Sequence, residues 1–176
     1  MGAGLTFTVA ITSLNRPDEL EKCLQAVAAM DRMPDNLLVA LHREDHASTE
    51  VASAAGADVF YVEAPGLAVA VEAAIRHATN DVVCFVDDDA RPHPDWLDRI
   101  ANHFESDEKL GFLGGRDNVD GDCESGAESL LVGRITATGK VVGNHHLGKG
   151  ESRRADLLKG ANMSVRRTPA VNIPLG

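Results

Sequence analysis

Three consecutive aspartates, Asp87, Asp88 and Asp89, follow directly on the apolar run Val82 to Val86 in the stretch VVCFVDDDARPHPDWL. The run is short, β-branched and ends abruptly, the pattern of a strand buried on both faces. Pro92 and Pro94 stop it from continuing as a strand. If the extended conformation persists past Val86, Asp87 and Asp89 point to one side and Asp88 to the other. Two carboxylates on one side of a strand end repel, and both stay ionised only beside positive charge. Arg91 is the one basic residue close by in sequence. A hard divalent cation, Mg2+ or Mn2+, is the simplest alternative, because carboxylate oxygens suit it and phosphate oxygens can complete its shell. The plainer role is helix capping. The next helix, however, is expected from about Pro94 with Asp95 already in its first turn, which leaves the triplet without a role.

Alternating apolar runs supply the frame. Leu5 to Ile11 reads as a strand, and Pro17 opens a helix with Leu20, Cys23, Leu24 and Val27 on one face. Leu37 to Leu41 is a second strand, and Ser48 to Ala55 a short helix closed by Gly56. Asp58 to Val62 follows as a strand and Leu67 to His77 as a helix. After the central Val82 strand come a helix from about Pro94 to Phe104 and a fifth strand at Gly111 to Gly114. Such alternation predicts an α/β fold, a mostly parallel sheet with helices on both faces. Ligands of these sheets sit outside the carboxyl ends of the strands. SLNR, HRED, APG and DDDA all fall at such ends, so four loops gather on one edge. In the first of them Arg16 could meet a phosphate or remain a solvated side chain.

Past Arg116 the pattern changes. Residues 116–129 are polar and acidic and read as a surface loop, and ITATGKVVG reads as a hairpin turning near Thr138 and Gly139. GNHHLGKGESRRAD is a second polar loop, with His145 and His146 adjacent, and LLKGANMSVRR looks like a strand end followed by a turn. The chain therefore divides into an α/β half, residues 1–115, and a smaller, β-rich portion of the same domain, residues 116–176.

Totals exclude several functions. With 27 acidic against 17 basic residues the net charge of -10 argues against a nucleic-acid partner. No apolar run is long enough to span a bilayer and no signal peptide opens the chain. Cys23 and Cys84 lie among apolar residues, Cys123 lies apart, and no CxxC occurs, so a reduced cytoplasmic setting is expected. The first strand-to-helix turn is not G-x-G-x-x-G, and G-x-x-x-x-G-K-[ST] is absent, which counts against dinucleotide dehydrogenases and P-loop enzymes.

ITSLNRP after the first strand, FVDDDARPHPDWL in the middle, GGRD after the fifth strand and LKGANMSVRR near the end occur in this order. Together they resemble the family 2 glycosyltransferases of GT-A fold, over essentially the whole chain. The resemblance implies an inverting transferase that uses a nucleotide-sugar donor, a UDP-sugar by preference, and Mn2+ or Mg2+. It implies that Thr12, Asn15 and Arg16 lie against base and ribose, and that Asp45 hydrogen-bonds the base. It implies that Asp87 and Asp89 form the DxD pair, with Asp87 toward the ribose or the metal and Asp89 the better metal ligand. It implies that Asp88 is also among the nucleotide-binding residues, and that Lys159, Gly160, Ala161 and Asn162 close over the donor sugar. The helix before the central strand departs from the family, carrying Val71-Glu72 where an Asn-containing pair is frequent. The family's base carboxylate lies downstream of the segment resembling KGANMSVRR, whereas the tail TPAVNIPLG has no Asp, Glu or His. The expectation is a donor-binding half of a longer transferase, with Asp117, Asp120, Asp122, Glu124, His145 and His146 as the remaining candidates for the acceptor side. Acceptor identity is open among a sugar, a lipid-linked group and a protein. Self-association and peripheral attachment to the cytoplasmic face of a membrane are further expectations. Two other readings stand beside this one: a nucleotide-sugar-binding module without catalysis, and a Mg2+-dependent enzyme of phosphate esters.

Overall fold

In the computed structural model, which describes residues 4–63, 66–118, 131–148 and 150–171, the expected apolar runs of the first half form the strands and helices in the expected order. They are β1 (Phe7–Thr12), α1 (Pro17–Ala28), β2 (Asn36–Leu41), α2 (His46–Ala54), β3 (Asp58–Tyr61), α3 (Leu67–His77), β4 (Val82–Asp87), α4 (Trp96–Ser106) and β5 (Phe112–Gly114). The second part contributes β6 (Arg134–Ile135), β7 (Val141–Val142), a 3-10 turn (His145–Leu147), β8 (Asn162–Arg166) and α5 (Arg167–Ala170). Six strands make one sheet in the order β3-β2-β1-β4-β8-β5, with β1 to β4 parallel.

Side-chain alternation explains the layers. Phe7, Val9 and Ile11 of β1 and Val82, Cys84 and Val86 of β4 face a core with Leu20, Cys23 and Val27 of α1 and Leu97, Ile100 and Phe104 of α4. Ala10, Val83 and Phe85 face the opposite way, against Ala70, Val71, Ala74 and Ile75 of α3. The central strand is thus buried on both faces, as its uninterrupted apolar run requires. Cys23 and Cys84 are free and buried, and burial pushes both thiols up to about 12. They are small core residues.

One expectation is corrected. LLKGANMSVRR is not a strand end followed by a turn: the turn at Gly160 and Ala161 comes first, and Asn162–Arg166 is a strand. It runs antiparallel between β4 and β5, pairing Val86 with Asn162 and Gly114 with Met163. The apolar signal of this strand is weak because Ser164 alternates with Val165, and only its neighbours in the sheet make it a strand. At its end two arginines separate to opposite layers. Arg166 Nη2 donates to the Phe104 carbonyl at 3.0 Å, and Arg167 Nε donates to the Ile75 carbonyl at 3.2 Å. Each guanidinium serves carbonyls near a helix carboxyl end, where such cations satisfy unpaired carbonyls and oppose the dipole.

The expected hairpin is present as a small antiparallel β6–β7 sheet, with Gly139 at φ 80° in its turn and its amide donating to the Thr136 carbonyl at 2.8 Å. Asp120, Asp122, Cys123 and Glu124 lie outside the described residues. Among the described residues no helix is long and apolar enough to cross a membrane.

Candidate functional site

The parallel register brings Thr12 opposite Asp87, so the carboxyl ends of β1 and β4 open on the same edge. β4 ends at Asp87, and the Ala90 amide donates to the Asp87 carbonyl at 3.0 Å, closing a tight turn. The alternation of a strand therefore does not continue through the triplet. Asp88 and Asp89 are both met by one side chain, Arg16, arriving from the β1–α1 turn. Its Nη2 and Nε engage Asp88, the latter at 3.1 Å, and its Nη1 donates to Asp89 Oδ2 at 3.2 Å. Ser13 Oγ adds a 2.6 Å bond to Asp88 Oδ2. Asp88 has a relative exposure of 0%, and its charge is matched by a guanidinium fork and a hydroxyl, as a buried carboxylate requires. Burial alone would lower the Arg16 pKa, but Asp88 and Asp89 hold it above its ordinary value.

Arg91, the basic residue nearest in sequence, is directed elsewhere. It donates to the Asp88 carbonyl at 3.1 Å and to the Glu19 carboxylate at 2.5 Å. Asp87, half-buried beside the fork, has its pKa pushed up, first by burial and then by the neighbouring Asp89 and Asp88; Lys159 and Arg16 oppose this. Since Arg91 is paired with Glu19 and Lys159 with Asp117, the three aspartates face one guanidinium, Arg16. Ionised together, the three carboxylates carry two charges more than Arg16 offsets, a balance among the described side chains that a divalent cation would suit.

Asp45 lies across the turn from Arg16. It is the N-cap residue of α2, which starts at His46, two residues before the expected Ser48. Its Oδ1 accepts the Ser48 amide at 3.1 Å and its Oδ2 the Asn15 amide at 2.6 Å. Burial opposes its ionisation, but these amide bonds prevail and its pKa is lowered. Asn15 is held at φ 53°, a left-handed conformation that asparagine tolerates. Asp45 thus joins the first two loops of the edge, and it is 4% exposed.

The far side of Asp87 is built by the second part of the chain. Asn162, paired with Val86, accepts the Trp96 indole N–H at 3.0 Å and donates to the Arg116 carbonyl at 3.3 Å. A Cβ at Gly115 would stand 2.5 Å from the Asn162 side-chain amide, so any larger residue there would make that amide move. Lys159 Nζ lies 2.9 Å from the Asp117 carboxylate, which raises its pKa, with Asp87 and Asp89 adding to the effect. A Cβ at Gly160 would stand 3.4 Å from Leu67 Cδ2, which places this segment against the start of α3. His145 and His146 sit in the 3-10 turn after a left-handed Asn144, so the backbone turns there and the alternation of a strand does not apply. The His146 carbonyl accepts Arg116 Nε at 2.9 Å, and His145 Nε2 is buried without a hydrogen-bond partner among the described residues.

The edge therefore gathers Thr12, Asn15, Arg16, Asp45, Asp87, Asp88, Asp89, Lys159 and Asn162. Ser13, Trp96 and Gly115 join them without having been singled out in the sequence. Trp96 had a signal, as the only tryptophan of the chain, eight positions past Asp88. Ser13 and Gly115 lie inside the stretches ITSLNRP and GGRD, but their partners are far away along the chain and nothing local marked them within those stretches. Among the described residues no group of three or more His, Cys, Asp and Glu is arranged to hold a metal ion. A cation at Asp87 and Asp89 would take two carboxylates from the protein and its remaining ligands from bound phosphate and water, a habit of Mg2+ and Mn2+.

Glycosyl transferase family 2 matches residues 8–165, and the chain belongs to that family. No curated protein matches it. Among solved structures it is similar to glucosyl-3-phosphoglycerate synthase from Mycobacterium tuberculosis in complex with Mn2+, UDP and glucosyl-3-phosphoglycerate. That likeness has a TM-score of 0.55 and 23% identity, over 64% of this chain and 44% of that one. A complex of the same enzyme with Mg2+ and UDP gives a TM-score of 0.55 and 23% identity over 64% and 43%. A mycobacterial protein gives 0.56 and 22% over 64% and 40%. The chain covers less than half the length of these structures, and the likeness shows the fold.

Proposed function

We propose that this member of glycosyl transferase family 2 binds a nucleoside-diphosphate sugar, a UDP-sugar by preference, and transfers the sugar with inversion to an acceptor hydroxyl. Asp87 and Asp89 act as its DxD pair and hold Mn2+ or Mg2+. The observation that carries this reading is the charge of the edge: three aspartates at a parallel strand end, matched by one guanidinium. A buried, repelled carboxylate such as Asp87 favours a partner cation. The complexes of the similar M. tuberculosis enzyme with UDP and Mn2+ or Mg2+ support both the base and the ion.

When bound, the ion supplies Lewis-acid neutralisation of the charge that gathers on the departing nucleoside diphosphate. Asp88, anchored by Arg16 and Ser13, keeps the turn in place so that Asp87 and Asp89 do not have to be ordered on binding. Thr12, Asn15, Arg16 and Asp45 form the wall on the base and ribose side, with Asp45 shaping the Asn15 turn through its amide bond. Lys159, Gly160 and Asn162 form the donor-sugar wall. The acceptor hydroxyl gives its proton to a base on the opposite side of the anomeric carbon, for which His145 and His146 of the second part of the chain are candidates.

Calorimetric titration of UDP and GDP, with and without Mn2+, tests the reading on the wild type and on Asp89→Ala. The expected result is UDP binding that needs Mn2+ and is lost in the variant. Binding of neither nucleotide under either condition overturns it.

A further inference from the structure

Among the described residues Arg16 is the cation hydrogen-bonded to both Asp88 and Asp89, and its two engagements are unequal. Two of its nitrogens engage Asp88, which is fully buried and also held by Ser13. A single nitrogen reaches Asp89 at 3.2 Å, between side chains that are 50% and 56% exposed. A forked pair on a buried carboxylate is strong and directional, whereas a single exposed bond contributes little.

We propose that Arg16 is a positioning residue that exchanges with the cation. Without metal, Nη1 holds Asp89 in place and offsets its repulsion of Asp87. When a divalent cation arrives at Asp87 and Asp89, Asp89 leaves Nη1, while the Nε and Nη2 bonds to Asp88 persist. Exchange of this kind makes the free edge less repulsive and couples the β1–α1 turn, fixed by the Asp45–Asn15 bond, to metal loading. The inference rests on the cation reading of Asp87 and Asp89.

The test is Mn2+ affinity at fixed UDP, read from the electron paramagnetic resonance signal of free aqueous Mn2+, for the wild type, Arg16→Gln and Arg16→Lys. Removing the competing charge is expected to tighten Mn2+ binding about tenfold in Arg16→Gln, with Arg16→Lys between it and the wild type. A residue that only braces the turn gives the opposite sign, so unchanged or weaker binding in Arg16→Gln overturns the exchange. A second readout avoids the variants altogether. In the wild type with UDP, Mg2+ is added while the Arg16 side chain is followed by 15N nuclear magnetic resonance. The Nε–H is expected to stay protected while the Nη1 protons enter rapid exchange; loss of both, or change in neither, overturns the proposal. Wild type that binds no Mn2+ with UDP sinks the cation reading and the exchange together. Normal wild-type binding without a gain in Arg16→Gln sinks the exchange alone.

Discussion

The two flanks of the acidic turn are built on different principles. On the β1–β2 side, Asp88 and Asp45 are almost wholly buried. Asp88 is matched by Ser13 and Arg16 from more than seventy residues away, and Asp45 by the Asn15 amide thirty residues away and by the Ser48 amide of its own helix. On the β8 side, Lys159 meets Asp117 in one partly exposed ion pair, and Asn162 bridges Trp96 and the Arg116 carbonyl by single bonds. A buried carboxylate that loses its partner bears the full penalty of an uncompensated charge, while an exposed pair is replaced by water at little cost. The first flank is therefore a fixed wall and the second an adjustable one. A site that must hold a charged donor yet admit an acceptor has use for both.

Substitutions on the two flanks should differ accordingly. The largest effect is expected from Arg16→Met, which strands Asp88 with only Ser13. Because half of Arg16 is exposed and water can enter, the loss should be about 2–3 kcal/mol, below that of a sealed pair. Urea denaturation measures it, and a loss no greater than that of Lys159→Met would break the contrast between the flanks. Asp45→Ala should follow, at about 1–2 kcal/mol, since it removes the cap of α2 and leaves the Asn15 amide unpaired. Its pH dependence sharpens the point. The folded pKa of Asp45 is lowered, so its stabilisation is fully present above the unfolded value of about 3.9 and is lost as pH falls through the folded one. The stability gap between wild type and Asp45→Ala should thus narrow below about pH 4 and stay constant above about pH 5.

Smaller effects are expected across the turn. Gly115→Ala pushes a methyl group against the Asn162 amide, which can swing aside at about 1 kcal/mol and in doing so lose the Trp96 bond. Trp96 is the only tryptophan, so a changed emission spectrum with a urea midpoint lowered by a few tenths molar is the expected pair of results. Lys159→Met should cost less than about 1 kcal/mol. Its signature should lie in the UDP titration with Mn2+, where affinity falls while the denaturation curve stays in place.

Much of the edge was legible in the sequence, and what was missed has a common cause. The apolar run Val82 to Val86 and the Asp triplet behind it showed a buried strand ending in carboxylates, and the amphipathic spacing of Leu20, Cys23, Leu24 and Val27 showed the helix that covers it. Those signals are local. Sequence proximity made Arg91 the natural counter-ion, but the structure directs Arg91 to Glu19 and brings Arg16 to Asp88 and Asp89 from the same end of the neighbouring parallel strand. Neither motif contains that contact. It exists because β1 and β4 are neighbours and their following turns therefore meet.

By itself, the sequence determined the order of strands and helices, the edge where the loops gather and the acidic triplet upon it, because periodicity and turn chemistry act between residues close along the chain. Only the tertiary structure decided that Asn162–Arg166 is an antiparallel strand between β4 and β5. Only there do Arg166 and Arg167 reach helix carbonyls in opposite layers, and only there does one guanidinium join two aspartates more than seventy positions away. Those outcomes depend on which strands lie side by side, and pairing is settled by burial across the whole sheet.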